Sequence, residues 1–182
     1  MARIPYLDFN DMPDDIRAHF AKLPPMNLFR LLLHAPGDAV AITNLGVSTL
    51  TGQELPSRLR ELAVLRVTHV LGCQVQRLQH VNVARAHGLS DEHVAEVARW
   101  TTSDAFGQLE RKMLQFTDEV TRTGTASQET FDALHEHLDD RQILELTIAV
   151  TFNGMLCRIQ NTFGVEPEAG AGSYSTDSLP RG

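Results

Sequence analysis

The residues best suited to chemistry lie in one largely apolar stretch, residues 59–89, LRELAVLRVTHVLGCQVQRLQHVNVARAHGL. Wound as a single helix at about 100° per residue, this stretch would place a set of polar side chains within roughly 60° of one another: His69, Cys73, Gln76, His80 and His87. Because an unpaired polar group in a protein core costs about 1–3 kcal/mol, such a seam is either a satisfied structural network or a site. Gly72 is a potential break, and a break there would leave Cys73 near the N-terminus of a second helix.

His80 is the strongest candidate for acid/base chemistry, because an imidazole exchanges protons near neutral pH. It follows Cys73 and Gln76 by seven and four residues, which puts all three on one helical face. A histidine on an apolar helix is nevertheless more often a hydrogen-bonded core residue. The sequence alone leaves both roles open for His80.

Glu61 is the candidate partner that would orient this imidazole. A carboxylate on a mostly apolar helix stays ionised only beside a partner, or else its pKa rises. The alternative to a histidine partner is an ion pair with Arg58 or Arg60. Both interpretations of Glu61 remain open at this stage.

Cys73 is a candidate nucleophile paired with His80, and its alternative is a small buried hydrophobe. A helix N-terminus and a nearby histidine would favour its thiolate, whereas Cys157 lies in an apolar run and would stay inert. The two cysteines form no CxxC motif, so we expect two free thiols and no resolving cysteine near Cys73. No metal site is expected, because His69, Cys73 and His80 match no common zinc spacing.

Composition limits the classes of protein to which the chain can belong. Its 182 residues, 42% hydrophobic and 21% charged, are typical of one soluble globular domain. A formal net charge of −7 argues against nucleic acid or an anionic membrane as the main partner. No apolar run reaches the roughly 20 residues that span a bilayer, and the first residues lack a signal-peptide core. We therefore expect a cytoplasmic protein.

The spacing of apolar residues predicts an all-α chain in three parts. An N-terminal arm, residues 1–25, precedes a helical domain over residues 26–165, and residues 166–182 are expected to form a disordered tail. The predicted helices cover residues 11–22, 26–34, 39–50, 57–71, 73–87 and 90–100, followed by one ending near Gly124, one beginning at Ser127 and one over 139–163. Residues 148–152 are β-branched enough for a strand, but the length of the surrounding pattern favours a helix.

One spacing occurs twice in the chain. Glu61-Leu62 lies 12 residues before Cys73, with Gln76 three residues later; Glu145-Leu146 lies 12 residues before Cys157, with Gln160 three residues later. Two helical hairpins related by duplication would produce this echo, and so would chance among leucine-rich helices.

The chain resembles the carboxymuconolactone decarboxylase and alkylhydroperoxidase D-like superfamily, whose core signature is matched by residues 59–67, 73–80 and 88–90. One subgroup of that superfamily is also similar upstream, over residues 26–30 and 34–36. The resemblance implies an all-α helical-hairpin bundle that assembles as a homo-oligomer, a trimer or a hexamer. It also implies pockets near the subunit contacts and no organic cofactor.

The resemblance carries over residue by residue. Glu61 matches the glutamate of the family's REL helix, His80 matches its histidine, and Cys73 matches the first cysteine of the CxxCxxxH motif. Gln76 replaces the second cysteine of that motif, or the glutamate found there in decarboxylase-like members, so disulfide-based peroxide reduction is not expected. Proton transfer then falls to His80, with Glu61 and Cys73 in support. Gln76 and His69 are the expected substrate-binding residues.

The expected function is that of a cofactor-independent lyase or isomerase acting on a small organic acid, lactone or carbonyl compound. Two alternatives stay open. One is a thiol-dependent protein that detoxifies peroxides with Cys73 alone. The other is a non-catalytic, ligand-binding oligomer of the same fold.

Overall fold

A computed structural model describes residues 2–171 and confirms the all-α prediction. This part of the chain contains nine α-helices, two short 3₁₀ helices (Phe9–Asp11 and Val97–Arg99) and no strand. The α-helices are α1 Asp14–Phe20, α2 Asn27–Leu32, α3 Pro36–Thr51, α4 Ser57–Val70, α5 Gln74–Ala86, α6 Asp91–Glu96, α7 Gln108–Thr123, α8 Gln128–His135 and α9 Asp140–Phe163. Residues 148–152 are helical, as their neighbours predicted.

Helix α4 lies at the centre of the molecule. Residues 59–68 are all buried, and the helix packs against α5, α7 and α9. The charged residues of α4 are therefore paired inside the protein, as buried charges must be. Arg66, for example, binds both oxygens of Asp118 on α7, at 2.6 and 2.7 Å.

The chain breaks between α4 and α5 at Gly72. Its φ of +62° is a left-handed conformation that glycine adopts without strain. Cys73 then occupies the N-cap position of α5, and its backbone N–H donates to the Thr68 carbonyl at 2.8 Å. The break expected at Gly72, with Cys73 at the start of a second helix, is therefore confirmed, and the polar seam of one continuous helix does not form.

The N-terminal third of the chain forms a layer over α4, α5 and α9. Phe20 of α1 packs with residues of α2, α3 and α9 in an apolar cluster: Leu28, Leu32, Leu33, Ala39, Phe152 and Leu156. The main core lies on the other side, where α4 meets α7 and the remainder of α9. The cavity described below lies between the N-terminal layer and the helices that it covers.

Part of the predicted tail contacts the helical bundle. The Glu168 carboxylate accepts hydrogen bonds from the backbone N–H of Asn27 at 3.0 Å and from the Gln79 amide at 3.3 Å, and Ala171 is buried. Residues 166–171 therefore belong to the packed structure, and the rest of the predicted tail, residues 172–182, lies outside the described residues. Within residues 2–171 no helix is both long enough and apolar enough to cross a bilayer.

Candidate active site

A cavity of about 950 Å³, counting its open mouth, lies between the N-terminal layer and helices α4, α5 and α9. Most of its wall is apolar, including Met26, Phe29, Ile42, Val64, Val83 and Phe152. Its polar wall residues are Thr43, Thr49, Arg60, Glu61, Gln76, Gln79, His80 and Asn153. A mainly apolar cavity with a few polar groups is typical of a small-molecule site.

Glu61 and His80 form a hydrogen-bonded pair in this wall. The Glu61 side chain is 0% exposed; its Oε2 lies 2.8 Å from His80 Nδ1, and its Oε1 accepts from Arg60 Nε at 3.0 Å. Burial by itself raises the pKa of Glu61, but its interactions with His80 and Arg60 outweigh that effect and lower the pKa below its usual value. Both interpretations left open by the sequence therefore apply to Glu61, which binds the histidine and an arginine at once.

An ionised Glu61 determines the tautomer of His80. A carboxylate only accepts hydrogen bonds, so Nδ1 of the imidazole donates. In the neutral ring Nε2 then carries a lone pair, and it lies 3.2 Å from the Gln76 side-chain nitrogen. His80 is 13% exposed, so its basic nitrogen sits in a largely dry wall.

The orientation of the Gln76 amide is fixed from both ends. Its Oε1 accepts from Gln160 Nε2 at 2.7 Å, and its Nε2 donates to Asn153 Oδ1 at 2.8 Å. Asn153 is itself oriented, because its Nδ2 donates to the Ala149 carbonyl at 2.9 Å. The Gln76 NH₂ group therefore faces His80 and donates to its Nε2.

Cys73 is buried behind this network and is not part of the cavity wall. Its thiol donates to Gln160 Oε1 at 3.2 Å, so it reaches His80 only through Gln160 and Gln76. Interaction with the neighbouring Cys157 thiol is the main reason that the pKa of Cys73 is lowered to about 7, while the pKa of Cys157 is raised. The expectation that no second cysteine lies near Cys73 is therefore wrong, because α9 packs against α4 and α5 and brings Cys157 there.

His69 is the predicted site residue that the structure does not bring to the cavity. It is exposed on the last turn of α4 and is absent from the cavity wall. Partial burial, followed by the positive charges of Arg66 and Arg77, lowers its pKa. Its placement beside the other candidates depended on a continuous helix, and Gly72 ends that helix.

Four functional candidates escaped the sequence-based selection: Arg60, Asn153, Cys157 and Gln160. Arg60 was considered only as a partner of Glu61, yet it forms part of the cavity wall. The echo in the sequence was a usable signal for two of the others, since Cys157 contacts Cys73 and Gln160 contacts Gln76. The second half of the echo lies on the single helix α9, so it is not a second hairpin.

This arrangement is suited to proton transfer. His80 can take a proton at Nε2, and the ionised Glu61 would stabilise the imidazolium that forms. Gln76 can donate a hydrogen bond to an oxygen that gains negative charge. The described residues contain no group of three or more histidine, cysteine, aspartate or glutamate side chains arranged to hold a metal ion.

The candidate site residues predicted from the sequence lie in a segment of the chain that matches a known protein family. The sequence model of the carboxymuconolactone decarboxylase family matches residues 39–119, which include Glu61, Cys73, Gln76 and His80. No curated protein matches the chain.

Solved structures with the same fold cover nearly the whole chain. An uncharacterized peroxidase-related protein with an alkylhydroperoxidase AhpD core, from Ralstonia eutropha JMP134, is 23% identical, with a TM-score of 0.82 and 94% of both chains covered. A peroxidase-related protein from Silicibacter sp. TM1040 is 18% identical, with a TM-score of 0.77 and coverage of 93% of this chain and 92% of its own. A cysteine-to-alanine variant of the debrominase Bmp8, in complex with 2,3,4-tribromopyrrole, is 18% identical, with a TM-score of 0.77 and coverage of 95% and 97%.

At these identities the solved structures establish a shared fold. The family model and the residues at the family's motif positions agree with that fold. The chain is therefore similar to the carboxymuconolactone decarboxylase family over residues 39–119 and shares the fold of the alkylhydroperoxidase AhpD core, with Gln76 where the CxxC motif has its second cysteine.

Proposed function

We propose that this chain is a cytoplasmic enzyme that works without a cofactor and moves a proton on a small organic acid, lactone or related carbonyl compound, as a lyase or isomerase. One observation carries the proposal. His80 Nδ1 lies 2.8 Å from an ionised, fully buried carboxylate, Glu61 Oε2, in the wall of a mainly apolar cavity. A histidine held this way by a carboxylate is a recurrent acid/base arrangement in enzymes.

Hydrogen-bond counting supports a role for Gln76 beside His80. The Gln76 amide has two N–H groups, of which one binds Asn153 and the other faces His80 Nε2. A substrate carbonyl oxygen that accepts the second N–H would release the lone pair of Nε2. The same binding event would then free the base and supply a donor to the oxygen that becomes negative in an enolate.

Two reactions are compatible with this geometry. In an isomerisation, His80 Nε2 takes a proton from the carbon next to the carbonyl, the C–H electrons form an enolate, and the imidazolium returns the proton to another carbon. In a decarboxylation, the electrons of the breaking C–C bond form the enolate as carbon dioxide leaves. A protonated His80 then delivers its proton to that carbon. Glu61 stabilises the imidazolium in both reactions.

Proton exchange in heavy water is the direct test. The probes are phenylpyruvate and α-angelica lactone, whose C–H deuteration and isomerisation are followed by NMR with wild type, His80→Ala and, as a control, His69→Ala. We expect His80→Ala to lower the rate by about a hundredfold or more and His69→Ala to leave it unchanged. Equal rates for wild type and a folded His80→Ala would refute the mechanism. Binding of both probes without any exchange would favour the non-catalytic, ligand-binding alternative.

Thiol-dependent peroxide reduction is a second candidate function, which the contact between Cys73 and Cys157 favours. The Cys73 thiolate would attack the outer oxygen of a hydroperoxide, break the O–O bond and release an alcohol, leaving a sulfenic acid. Cys157 would then displace water from that sulfur and form a disulfide, which an external dithiol would reduce. Cys73 is 2% exposed and lies outside the cavity wall, so this function ranks second.

Mass spectrometry after treatment with hydrogen peroxide tests this candidate. It predicts a disulfide between Cys73 and Cys157 in wild type and a sulfenic acid at Cys73 in Cys157→Ser. Unmodified thiols in both proteins would eliminate peroxide chemistry and leave the proton-transfer proposal untouched.

A further inference from the structure

Arg60 has an unused hydrogen-bonding group at the cavity. Its side chain is 2% exposed and forms part of the wall beside Glu61. Nε donates to Glu61 Oε1 at 3.0 Å and Nη1 donates to Ser57 Oγ at 3.3 Å, whereas Nη2 is buried without a hydrogen-bond partner among the described residues. An unsatisfied N–H on a buried charged group is more destabilising than one on a neutral group.

Arg60 is unusual in combining an unpaired atom with a place in the cavity wall. The other buried side-chain atoms without a partner in the described part of the chain belong to Gln53, Arg77, His87 and Thr121. None of these four residues lines the cavity. Because Arg60 lines the cavity, a ligand there is the candidate partner for this nitrogen.

The two charged residues of the wall are paired with each other, and the unused hydrogen-bond donor belongs to the cation. Among the described residues of the wall, Arg60 is the arginine and there is no lysine, while Glu61 is the carboxylate. Both Glu61 oxygens already accept hydrogen bonds, from Arg60 and from His80. The remaining wall is mostly apolar, which suits a ligand with one anionic group and an apolar body.

We propose that Arg60 is the residue that selects the substrate, by binding its carboxylate through Nη2. This inference rests on the proposed function and narrows its substrates to small monocarboxylates with an apolar body. Arg60 and His80 bind the two oxygens of the same Glu61 carboxylate, so a carboxylate held by Arg60 lies close to the imidazole. The reacting carbon is therefore expected next to the carboxylate or one carbon further away.

Calorimetric titration with two probes of the same shape tests the proposal. Cyclohexanecarboxylate carries the charge, and cyclohexanecarboxamide is its neutral counterpart. We expect wild type to bind the carboxylate roughly tenfold to hundredfold more tightly than the amide, since charge-assisted hydrogen bonds contribute about 1.5–3 kcal/mol. Arg60→Gln should lose this preference, and Arg60→Lys, which keeps the charge without the planar fork, should retain part of it.

Arg77→Gln is the matched control. Arg77 also has an unpaired buried nitrogen, Nη1, but it lies outside the cavity wall, so its replacement should leave the carboxylate preference intact. A preference that survives in Arg60→Gln, or equal binding of both probes by wild type, would overturn the proposal. If Arg60→Gln does not fold, the proposal is tested by comparing the carboxylate preference of wild type with that of Arg60→Lys. His80→Gln should keep the preference while it loses proton exchange, which separates failure of this inference from failure of the proposed function.

Discussion

At the scale of single residues, one ionised group, Glu61, orients a chain of four further side chains. Because the Glu61 carboxylate only accepts, His80 donates from Nδ1 and accepts at Nε2. Gln76 must then donate from Nε2 and accept at Oε1. Its Oε1 accepts from Gln160 Nε2, which leaves Gln160 Oε1 to accept from the Cys73 thiol. Each member has one consistent donor and acceptor assignment, so the network specifies a single arrangement at the site.

Gln76→Glu tests this chain of donors. The substitution replaces the NH₂ group that serves Asn153 and His80 by an oxygen, in a side chain that is 3% exposed. We expect a loss of about 1–3 kcal/mol of unfolding free energy for each unsatisfied partner and a fall of about tenfold or more in probe exchange. Urea melts and NMR exchange measure the two effects. Gln74→Glu, exposed on the first turn of the same helix, is the control that should change neither.

The pKa of Glu61 makes a prediction about acid stability. Its value in the folded protein lies below the usual 4.5, so the ionised form stabilises the fold. That contribution is complete above pH 4.5 and is lost as the pH falls through the lower folded-state value. We expect Glu61→Gln to lower the free energy of unfolding by about 3 kcal/mol at neutral pH. The difference in stability between this variant and wild type should become smaller in acid. Urea melts across the acid range check this, and a difference that does not change with pH contradicts it.

At the scale of elements, the break between α4 and α5 decides which residues meet. Gly72 ends one helix and Cys73 begins the next, so the face that carries Gln76 and His80 is set by α5 alone. Glu61 reaches that face from α4, across the packed interface of the two helices. The site is therefore built at a helix–helix contact.

Gly72→Ala tests the cost of that break. No atom lies within 4 Å of a Cβ built at Gly72, so an alanine there meets no steric clash. The loss of stability is expected to come from the left-handed backbone at φ +62°. We expect the unfolding free energy to fall by about 1–2 kcal/mol. Gly37→Ala is the matched control: it also has open space around it but sits in the first turn of α3 with an ordinary φ, and it should be neutral or slightly stabilising. Equal effects of the two substitutions would contradict this account.

The sequence predicted the helices well because their signals are local. Ser127 and Asp139 were predicted as starting points from caps and spacing, and both act as N-caps whose side chains accept backbone N–H groups. The His80 and Glu61 pair also lay within reach of sequence reasoning, since both residues fall in adjacent helices. Asn153 and Gln160 did not, because they approach the site from α9 and nothing local fixes how α9 packs.

At the scale of the whole molecule, the cavity exists because two layers meet. The arm, α2 and α3 supply one wall, and α4, α5 and α9 supply the polar wall with His80. Residues 166–171 tie the layers together, since Glu168 binds both Asn27 and Gln79. Changes in the N-terminal layer are therefore expected to alter ligand binding more than proton transfer.

The family resemblance predicts a homo-oligomer, a trimer or a hexamer. Leu144 is 60% exposed on α9, the highest exposure among the large hydrophobic residues of the described part, and a subunit contact would cover it. Light scattering should give a mass that is three or six times the chain mass of 20.2 kDa. Leu144→Glu should shift the distribution toward smaller species if that contact includes α9. A strict monomer for the wild type would contradict the prediction.

Buried Glu61 is expected to hold His80 as the tautomer protonated at Nδ1, with a basic Nε2 beside Gln76 at the cavity. Proton–nitrogen correlation NMR of histidine-labelled protein, at mildly alkaline pH, measures this directly. We predict that His80 shows a protonated Nδ1 and a bare Nε2, and that Glu61→Gln removes this preference. A protonated Nε2, or rapid averaging of both tautomers in the wild type, would contradict the claim.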